Sequence, residues 1–263
     1  MKIALCYFTY KLDAELLKQS LRSVARLKEL RPDVTVDTYI YDDESSPLDE
    51  APKGVIYTQT AWDRQGNLNG IENLDGMLSV YRAHTGYDWV VKADCDTYIN
   101  DWDWLDNIDP ETVAKVGMYN YQHFQHGCLY AFSRAGIAAV TEVLLREGVR
   151  ERVAGCNCCE DRVLSTLADM SGMRGVRYLV SSSNIPGSCR GGYQDFTWDG
   201  IVPRERLENP DPEKMLTHMS VTFKRNSHVR TTEERVQDRV EALERMTAYA
   251  DWVDEHDAKT QNA

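Results

Sequence analysis

Long apolar runs are missing from this chain of 263 residues. No stretch approaches the roughly 18 consecutive apolar residues that a helix needs to span a bilayer. The run from Met1 to Tyr10 is too short and too aromatic to form the apolar region of a secretory signal. We therefore expect a cytoplasmic protein with no transmembrane segment.

Positive charge is also scarce. The chain holds 30 Lys and Arg residues against 42 Asp and Glu residues, for a net charge of −12. Affinity for phosphate backbones comes mainly from cations, so the composition disfavours a large nucleic-acid-binding surface. The acidic excess lies between residues 33 and 111. Such an excess suits either a bound cation or a well-solvated surface.

A regular cysteine framework is absent as well. The seven cysteines are odd in number and irregular in spacing, which indicates reduced thiols rather than disulfides. Cys156 and Cys159 have the C-x-x-C spacing of redox and zinc sites, but further ligands do not follow at the spacing of a common zinc module. A packing role is favoured for them, and a metal or redox role stays open.

What is present is an alternation of strand-like and helix-like patterns. Residues 2–8 and 34–41 are rich in β-forming side chains, and residues 12–30 between them carry apolar side chains at helical spacing. A helix at 71–84 follows, and then a strand at 87–93 that is continuously apolar apart from Asp88 and Lys92. This order predicts an α/β fold with a mixed, mainly parallel sheet flanked by helices, and with functional residues where strands end.

The second half of the chain is less regular. It is predicted to contain strands at 115–121 and 128–132, helices at 134–146 and 161–170, and a C-terminal helix from Thr231. Thr231 and Glu234 have capping-box spacing, and this helix is expected to pack across the domain. Residues 181–197 are rich in Ser and Gly, so we expect a loop that acts as a lid. No repeat or linker marks a second domain.

An acidic triplet, Asp94-Cys95-Asp96, directly follows the buried strand at 87–93. In an extended segment, residues two apart point to the same side. Two carboxylates placed in this way can bind Mg²⁺ or Mn²⁺. Asp101 and Asp103 form a second such triplet in a predicted loop, and the position after a buried strand favours the first.

Two further features need context. Glu160 and Asp161 open a predicted helix, where a carboxylate could deprotonate an acceptor hydroxyl. Acids also favour the first turn of any helix, and the residues alone support that simpler interpretation. His218 stands in an apolar stretch late in the chain, where a lone histidine is usually structural.

The order of these motifs resembles glycosyltransferases of the GT-A fold, chiefly Fringe-like and beta-1,3-galactosyltransferase-like members and, in part, family-two enzymes. Residues 89–100 (WVVKADCDTYIN) resemble the metal-binding strand of that fold. Residues 127–134 (GCLYAFSR) resemble the Gly-led strand that ends in Ser-Arg, and residues 159–165 (CEDRVLS) are similar to the Glu-Asp motif of inverting members.

The resemblance implies a metal-dependent inverting glycosyltransferase (a hexosyltransferase) that uses a nucleotide-sugar donor, expected to be a UDP-sugar. Asp94 and Asp96 would hold Mn²⁺ or Mg²⁺ on the donor diphosphate, with Asp96 as the direct ligand, and His218 would complete the metal site. Asp161 would be the general base. Glu160 would orient the acceptor or the helix start.

The resemblance also implies where the rest of the donor binds. Thr9 and Tyr10, at the end of the first strand, would form the wall of the base pocket. Asp42 or Asp43 would contact the base or the ribose, and Lys92 would meet the donor beside the acidic triplet.

In domain terms, the resemblance covers residues 1–225. Residues 1–100 would form the nucleotide-sugar-binding half and residues 101–225 the acceptor half, with 226–263 as a helical extension. The acceptor stays open among a glycan, a lipid-linked sugar, a protein, a small molecule and a modified nucleobase.

Two alternatives stay open for the activity. A metal-dependent nucleotidyltransferase would also use an acidic metal site, but its glycine-rich phosphate loop with a lysine is missing near the first strand. A catalytically silent carbohydrate- or nucleotide-binding protein would instead use the six Trp and 14 Tyr residues to stack on sugars.

Overall fold

The computed structural model describes residues 1–62, 70–83, 86–106, 108–119, 125–154, 160–181, 195–199, 217–218 and 232–261. The described strands are β1 (Lys2–Thr9), β2 (Thr35–Asp43), β3 (Ile56–Thr60), β4 (Trp89–Ala93), β5 (Thr97–Tyr98), β6 (Val113–Tyr119), β7 (Gln125–Ser133), β8 (Arg174–Ser181), β9 (Asp195–Asp199) and β10 (Thr217–His218). The described helices are α1 (Ala14–Leu30), α2 (Gly70–Ala83), α3 (Asp103–Asp106), α4 (Arg134–Leu144), α5 (Val149–Ala154), α6 (Glu160–Met170) and α7 (Thr232–Gln261), and a 3-10 turn, Lys11–Asp13, precedes α1.

One sheet of eight strands organises the fold, in the order β3-β2-β1-β4-β7-β6-β8-β9. Neighbours from β3 to β4 pair in parallel, as do β6 and β8. Strands β7 and β9 run in the opposite direction. The predicted α/β class, a mixed and mainly parallel sheet flanked by helices, is therefore confirmed. The parallel strands share one edge at which they all end, which we call the carboxyl edge.

Apolar cores lie on both faces of the sheet. Side chains of a strand alternate between faces. In β1, Leu5 and Tyr7 join the core that contains α1, α3 and α7, whereas Cys6 and Phe8 join the core that contains α2, α4 and α6. Because both faces are covered, the central strands are mostly apolar, as buried parallel strands usually are, and Lys92 of β4 is a buried exception.

Helix α7 packs against α1 as an integral part of the core, as the sequence predicts. Its buried stripe consists of Ala242, Met246, Ala250 and Val253. Arg22 on α1 pairs with Asp251 and Asp254 at the rim of this contact. Helix α7 has 30 residues, yet within the described ranges no helix is long and apolar enough to cross a membrane.

The predicted lid at 181–197 needs a correction at both ends. Ser181 is the last residue of β8, and Asp195–Asp199 form β9, so the end of the predicted loop is a strand. Strand β9 pairs with β8 through Val180 and Phe196. The five residues of β9 are held by pairing with β8. Such a short segment shows little hydrophobic periodicity in its own sequence, so the sequence does not reveal it as a strand. Residues 182–194 lie outside the described residues.

Candidate active site at the carboxyl edge of the sheet

Three strands end side by side at the site. Thr9 of β1 pairs with Asp42 of β2, and Tyr7 pairs with Ala93, the last residue of β4. The residues that directly follow these strands, Tyr10 and Asp94, therefore lie at the same edge. The sheet register thus brings together the predicted donor-binding residues of the first, second and fourth strands.

The acidic triplet forms a turn rather than the predicted extended segment, because the Thr97 amide donates to the Asp94 carbonyl oxygen at 3.1 Å. Cys95 is buried and its Sγ lies 3.8 Å from the carbonyl oxygen of Phe8. Burial, followed by the charge of nearby carboxylates, raises the pKa of the Cys95 thiol well above its ordinary value. Asp94 and Asp96 on either side are half-buried. The carboxylates therefore stay at the surface of the edge while the thiol is buried in the core.

Lys92 forms an ion pair with Asp94. Its side chain is only 3% exposed, against 36% for Asp94, and the Lys92 ammonium donates to Asp94 Oδ1. The same ammonium lies 5.7 Å from the centre of the Tyr130 ring. A lysine this deeply buried needs a charged partner. Asp94 thus has one oxygen engaged by the protein.

Asp13 is a third carboxylate at this edge, which sequence reasoning missed. It is buried, and its Oδ1 accepts a hydrogen bond of 2.8 Å from Arg239 Nε. Burial raises the pKa of Asp13 to about 6, Arg239 opposes that change, and the charges of Asp96 and Asp94 add to it. The three carboxylates therefore lie within one electrostatic environment.

Strand β10 reaches the site through the backbone. It pairs in antiparallel fashion with β5, and His218 is the register partner of Thr97, the residue after Asp96. The pairing joins a segment more than a hundred positions later to the acidic triplet. The predicted role of His218 as a metal ligand stays a prediction.

Buried serines hold β5 against α1. Ser20 Oγ donates to the Thr97 carbonyl at 2.6 Å and forms a 2.7 Å hydrogen bond with the Tyr7 hydroxyl. Ser23 Oγ accepts from the Ile99 amide at 3.1 Å. These serines look like ordinary helix residues in the sequence, because their partners come from the β5 segment far along the chain.

The acidic turn after β2 is tightly structured. Asp42 is fully buried, and its Oδ2 accepts from the Leu48 amide at 2.8 Å and from the Tyr57 hydroxyl. Within the described residues, Asp42 Oδ1 has no hydrogen-bond partner. Asp43 Oδ1 accepts from both the amide and the hydroxyl of Ser45. The Asp42 carboxylate thus keeps one acceptor atom that the described protein does not satisfy.

Helix α6 starts at Glu160, so Glu160 and Asp161 lie in its first turn. A link of three residues joins its last residue to Arg174, where β8 begins at the opposite edge of the sheet. Eleven residues of helix extend about 16 Å. The helix therefore begins toward the carboxyl edge. The catalytic roles of both residues stay predictions.

The second acidic triplet has a structural role. Asp103 Oδ1 accepts a 2.8 Å hydrogen bond from Arg31, the residue that follows α1. Asp101 Oδ1 accepts from the Asp103 amide at 3.0 Å. Arg31 lies four residues before the start of β2, so this cluster lies near the opposite edge of the sheet from Asp94.

The acidic triplet fits a hard divalent cation. Its carboxylate oxygens are the ligands that Mg²⁺ and Mn²⁺ prefer, and such cations usually keep water or substrate phosphate as further ligands. Burial is the main cause of the raised pKa of Asp13, and the charges of Asp96 and Asp94 add to it. Among the described side chains, no three His, Cys, Asp or Glu residues form a complete metal site. Cys156 and Cys159 lie outside the described residues.

Comparison with known proteins finds only distant structural similarity. No protein-family model matches the chain, and no curated protein is significantly similar in sequence. The chain is similar to the catalytic domain of Drosophila beta1,4galactosyltransferase 7 in complex with xylobiose, with 14% identity over 90% of this chain and 80% of that chain and a TM-score of 0.46. A glycosyltransferase involved in glycosylation of the major capsid of PBCV-1 gives 9% identity, 94% and 100% coverage and a TM-score of 0.49. The function is accordingly inferred from the site itself.

Proposed function

We propose that this chain is a metal-dependent, inverting glycosyltransferase of the GT-A type that transfers a hexose from a UDP-sugar to an acceptor hydroxyl. The observation that carries the proposal is the convergence of Asp94, Asp96 and the Asp42 turn at one sheet edge, where the β5–β10 pairing also brings the backbone of residue 218. The motif order that resembles the Fringe-like and beta-1,3-galactosyltransferase-like members supports the same conclusion.

In this proposal, the chain's own groups bind and orient the donor. Tyr10 forms the wall of the base pocket, and Asp42 or Asp43 contacts the base or the ribose. Asp96 holds the cation, Asp94 supports it, and Lys92 fixes the Asp94 carboxylate. When bound, the cation neutralises charge on the leaving diphosphate.

The acceptor side of the proposal relies on α6. Asp161, in the first turn of α6, takes the proton of the attacking hydroxyl, and Glu160 orients the acceptor. A single displacement by that hydroxyl inverts the anomeric carbon. We place the acceptor within residues 101–225, because α6 belongs to that half of the chain.

The test is release of nucleoside diphosphate from a panel of UDP-, GDP- and ADP-sugars, and of CMP from CMP-sugars, with Mn²⁺ and with chelator. We expect chelator-sensitive release from the UDP-sugars. Asp96→Asn is expected to lower that release by about 10²–10³-fold, because it removes charge that holds the cation in the transition state.

Asp103→Asn is the matched control, because it also removes the second carboxylate of an Asp-x-Asp triplet but lies beside Arg31. It should retain the wild-type rate. If calorimetry shows no metal-dependent binding of any nucleotide in the panel, the transferase proposal is wrong and a carbohydrate-binding protein is favoured.

A further inference from the structure

One cation at the carboxyl edge has no role in the function proposed above. Arg239, on α7, lies beside Asp13, and its guanidinium carbon is 5.8 Å from the centre of the Tyr10 ring. Although burial lowers it, the pKa of Arg239 is raised overall by Asp13, Tyr10 and Asp96. Arg239 therefore faces both the expected nucleoside pocket and the expected cation site.

The placement of Arg239 on its helix is unusual. Counting back from Val253, the buried positions of α7 are Ala250, Met246 and Ala242, three or four residues apart. Arg239 continues this spacing, so it occupies the stripe that packs on the domain. An apolar side chain would serve packing at such a position, and a charged one indicates a function.

The hydrogen bond to Asp13 does not use all the N–H donors of the Arg239 guanidinium. Arginine has five N–H donors in a rigid planar arrangement, and the bond from Nε to Asp13 uses one of them. The side chain is 31% exposed, so a ligand at the edge of the sheet can reach it. Guanidinium groups suit phosphate because they bind two of its oxygens at once.

The helix that carries Arg239 is firmly held. Arg26 Nε lies 2.5 Å from Asp257 across the α1–α7 contact, and Met246 and Ala250 are fully buried in the core. The Asp13 bond then fixes the plane of the guanidinium at the site. A group held in this way is preorganised for its ligand and loses little entropy on binding.

We propose that Arg239 binds the diphosphate of the nucleotide-sugar donor, between the nucleoside beside Tyr10 and the cation at Asp96. This inference rests on the proposed function, since it assumes a donor in that pocket. It assigns α7 a direct part in substrate binding, because the helix supplies a positive charge to the diphosphate. Removing that charge should weaken binding of phosphates and leave binding of the nucleoside unchanged.

The experiment measures affinities for UDP, UMP and uridine by calorimetry in Mn²⁺ for wild type, Arg239→Gln and Arg239→Lys. We expect Arg239→Gln to weaken UDP binding by about 10- to 100-fold, as for loss of a charged hydrogen bond. Uridine affinity should stay at the wild-type value. Arg239→Lys keeps a cation beside Asp13, so it protects the fold and should show a smaller loss that is also confined to the phosphates.

Arg22→Gln is the matched control. Arg22 also pairs with carboxylates across the α1–α7 contact, and its side chain is 35% exposed, close to the value for Arg239. It should leave all three affinities unchanged. Equal weakening of UDP and uridine in the Arg239 variants, or no weakening of UDP, overturns the inference alone. A wild-type protein that binds none of the three overturns the proposed function as well.

Discussion

Charged side chains at the site form ion pairs in which one member is buried and the other reaches solvent. Lys92 is nearly inaccessible and relies on Asp94, which reaches solvent. Asp13 is buried and relies on Arg239, which also reaches solvent. In each pair one member remains available to a ligand. Buried charges without a partner would cost several kcal/mol each, so this arrangement lets the edge carry charge at a tolerable cost in stability.

Asp161 can be tested as a single residue. Asp161→Asn removes the proposed base and keeps the shape of the side chain. We expect the rate of sugar transfer or donor hydrolysis to fall by about 10²–10⁴-fold, because general-base catalysis contributes on that scale. The affinity for UDP, measured by calorimetry, should stay unchanged, because the substitution does not touch the donor side.

Asp169→Asn is the control for Asp161. Asp169 lies on the same helix but is exposed near its end, away from the proposed acceptor. It should keep the wild-type rate. If Asp161→Asn also keeps that rate, Asp161 is not the base, and the acceptor side of the proposal is wrong.

At the scale of elements, the short strand β5 determines the geometry of the candidate metal site. It directly follows the acidic triplet, pairs with β10, and is fixed to α1 through Ser20 and Ser23. Two residues of strand cannot hold a position by pairing alone. The hydroxyl groups of α1 therefore connect the core to the carboxylates that would bind the cation.

Ser20→Ala tests this connection. The change leaves the Tyr7 hydroxyl and the Thr97 carbonyl without their buried partner, which should cost about 1–3 kcal/mol of unfolding free energy in urea. It should also weaken Mn²⁺ binding by about 10- to 100-fold, as loss of a group that orients metal ligands does. Calorimetric titration with Mn²⁺ measures the second effect.

Ser133→Ala is the control that distinguishes a loss of stability from a loss of Mn²⁺ binding. Ser133 is equally buried and caps α4 by accepting from the Gly136 amide at 2.8 Å, but it lies opposite Trp89 at the start of β4. Losing that cap should cost about 1 kcal/mol and leave Mn²⁺ affinity intact. Equal Mn²⁺ affinities in Ser20→Ala and wild type would show that β5 holds its place without Ser20.

At the scale of the whole molecule, the last helix completes both the core and the site. Met246 is fully buried against α1 and the sheet, whereas Arg239 two turns earlier reaches the carboxyl edge. The C-terminal residues thus stabilise the first strands of the chain. Folding and donor binding are expected to depend on the same helix.

Met246→Ala should lower the unfolding free energy by about 2–5 kcal/mol, because it leaves a cavity in the core. Urea denaturation measures this change. Met170→Ala is its matched control, since Met170 is 40% exposed at the end of α6, and it should stay within about 0.5 kcal/mol of wild type. Similar stabilities for the two variants would mean that α7 contributes little to the core.

Local patterns in the sequence were sufficient for the fold class and for the position of the acidic triplet. The apolar runs at β1 and β4 and the helical spacing of α1 predict elements near those observed, because both faces of the sheet are buried. Asp94 and Asp96 were found because they directly follow a buried strand, although the triplet forms a turn rather than the extended segment that the spacing suggested. The roles of Glu160, Asp161 and His218 stay predictions.

Only the tertiary structure decided which distant residues meet at the site. Arg239 contacts Asp13 across 226 positions, and Ser20 contacts Thr97 across 77. Neither contact produces a periodic pattern in the sequence. The one sequence feature that could have identified Arg239 is its charge at a position on the buried stripe of α7. The sequence by itself determined the buried strands such as β1 and β4, because burial acts on neighbouring side chains, whereas β9 within the predicted loop was missed. The partners of the polar groups depend on packing between elements, and they emerge only when those elements come together.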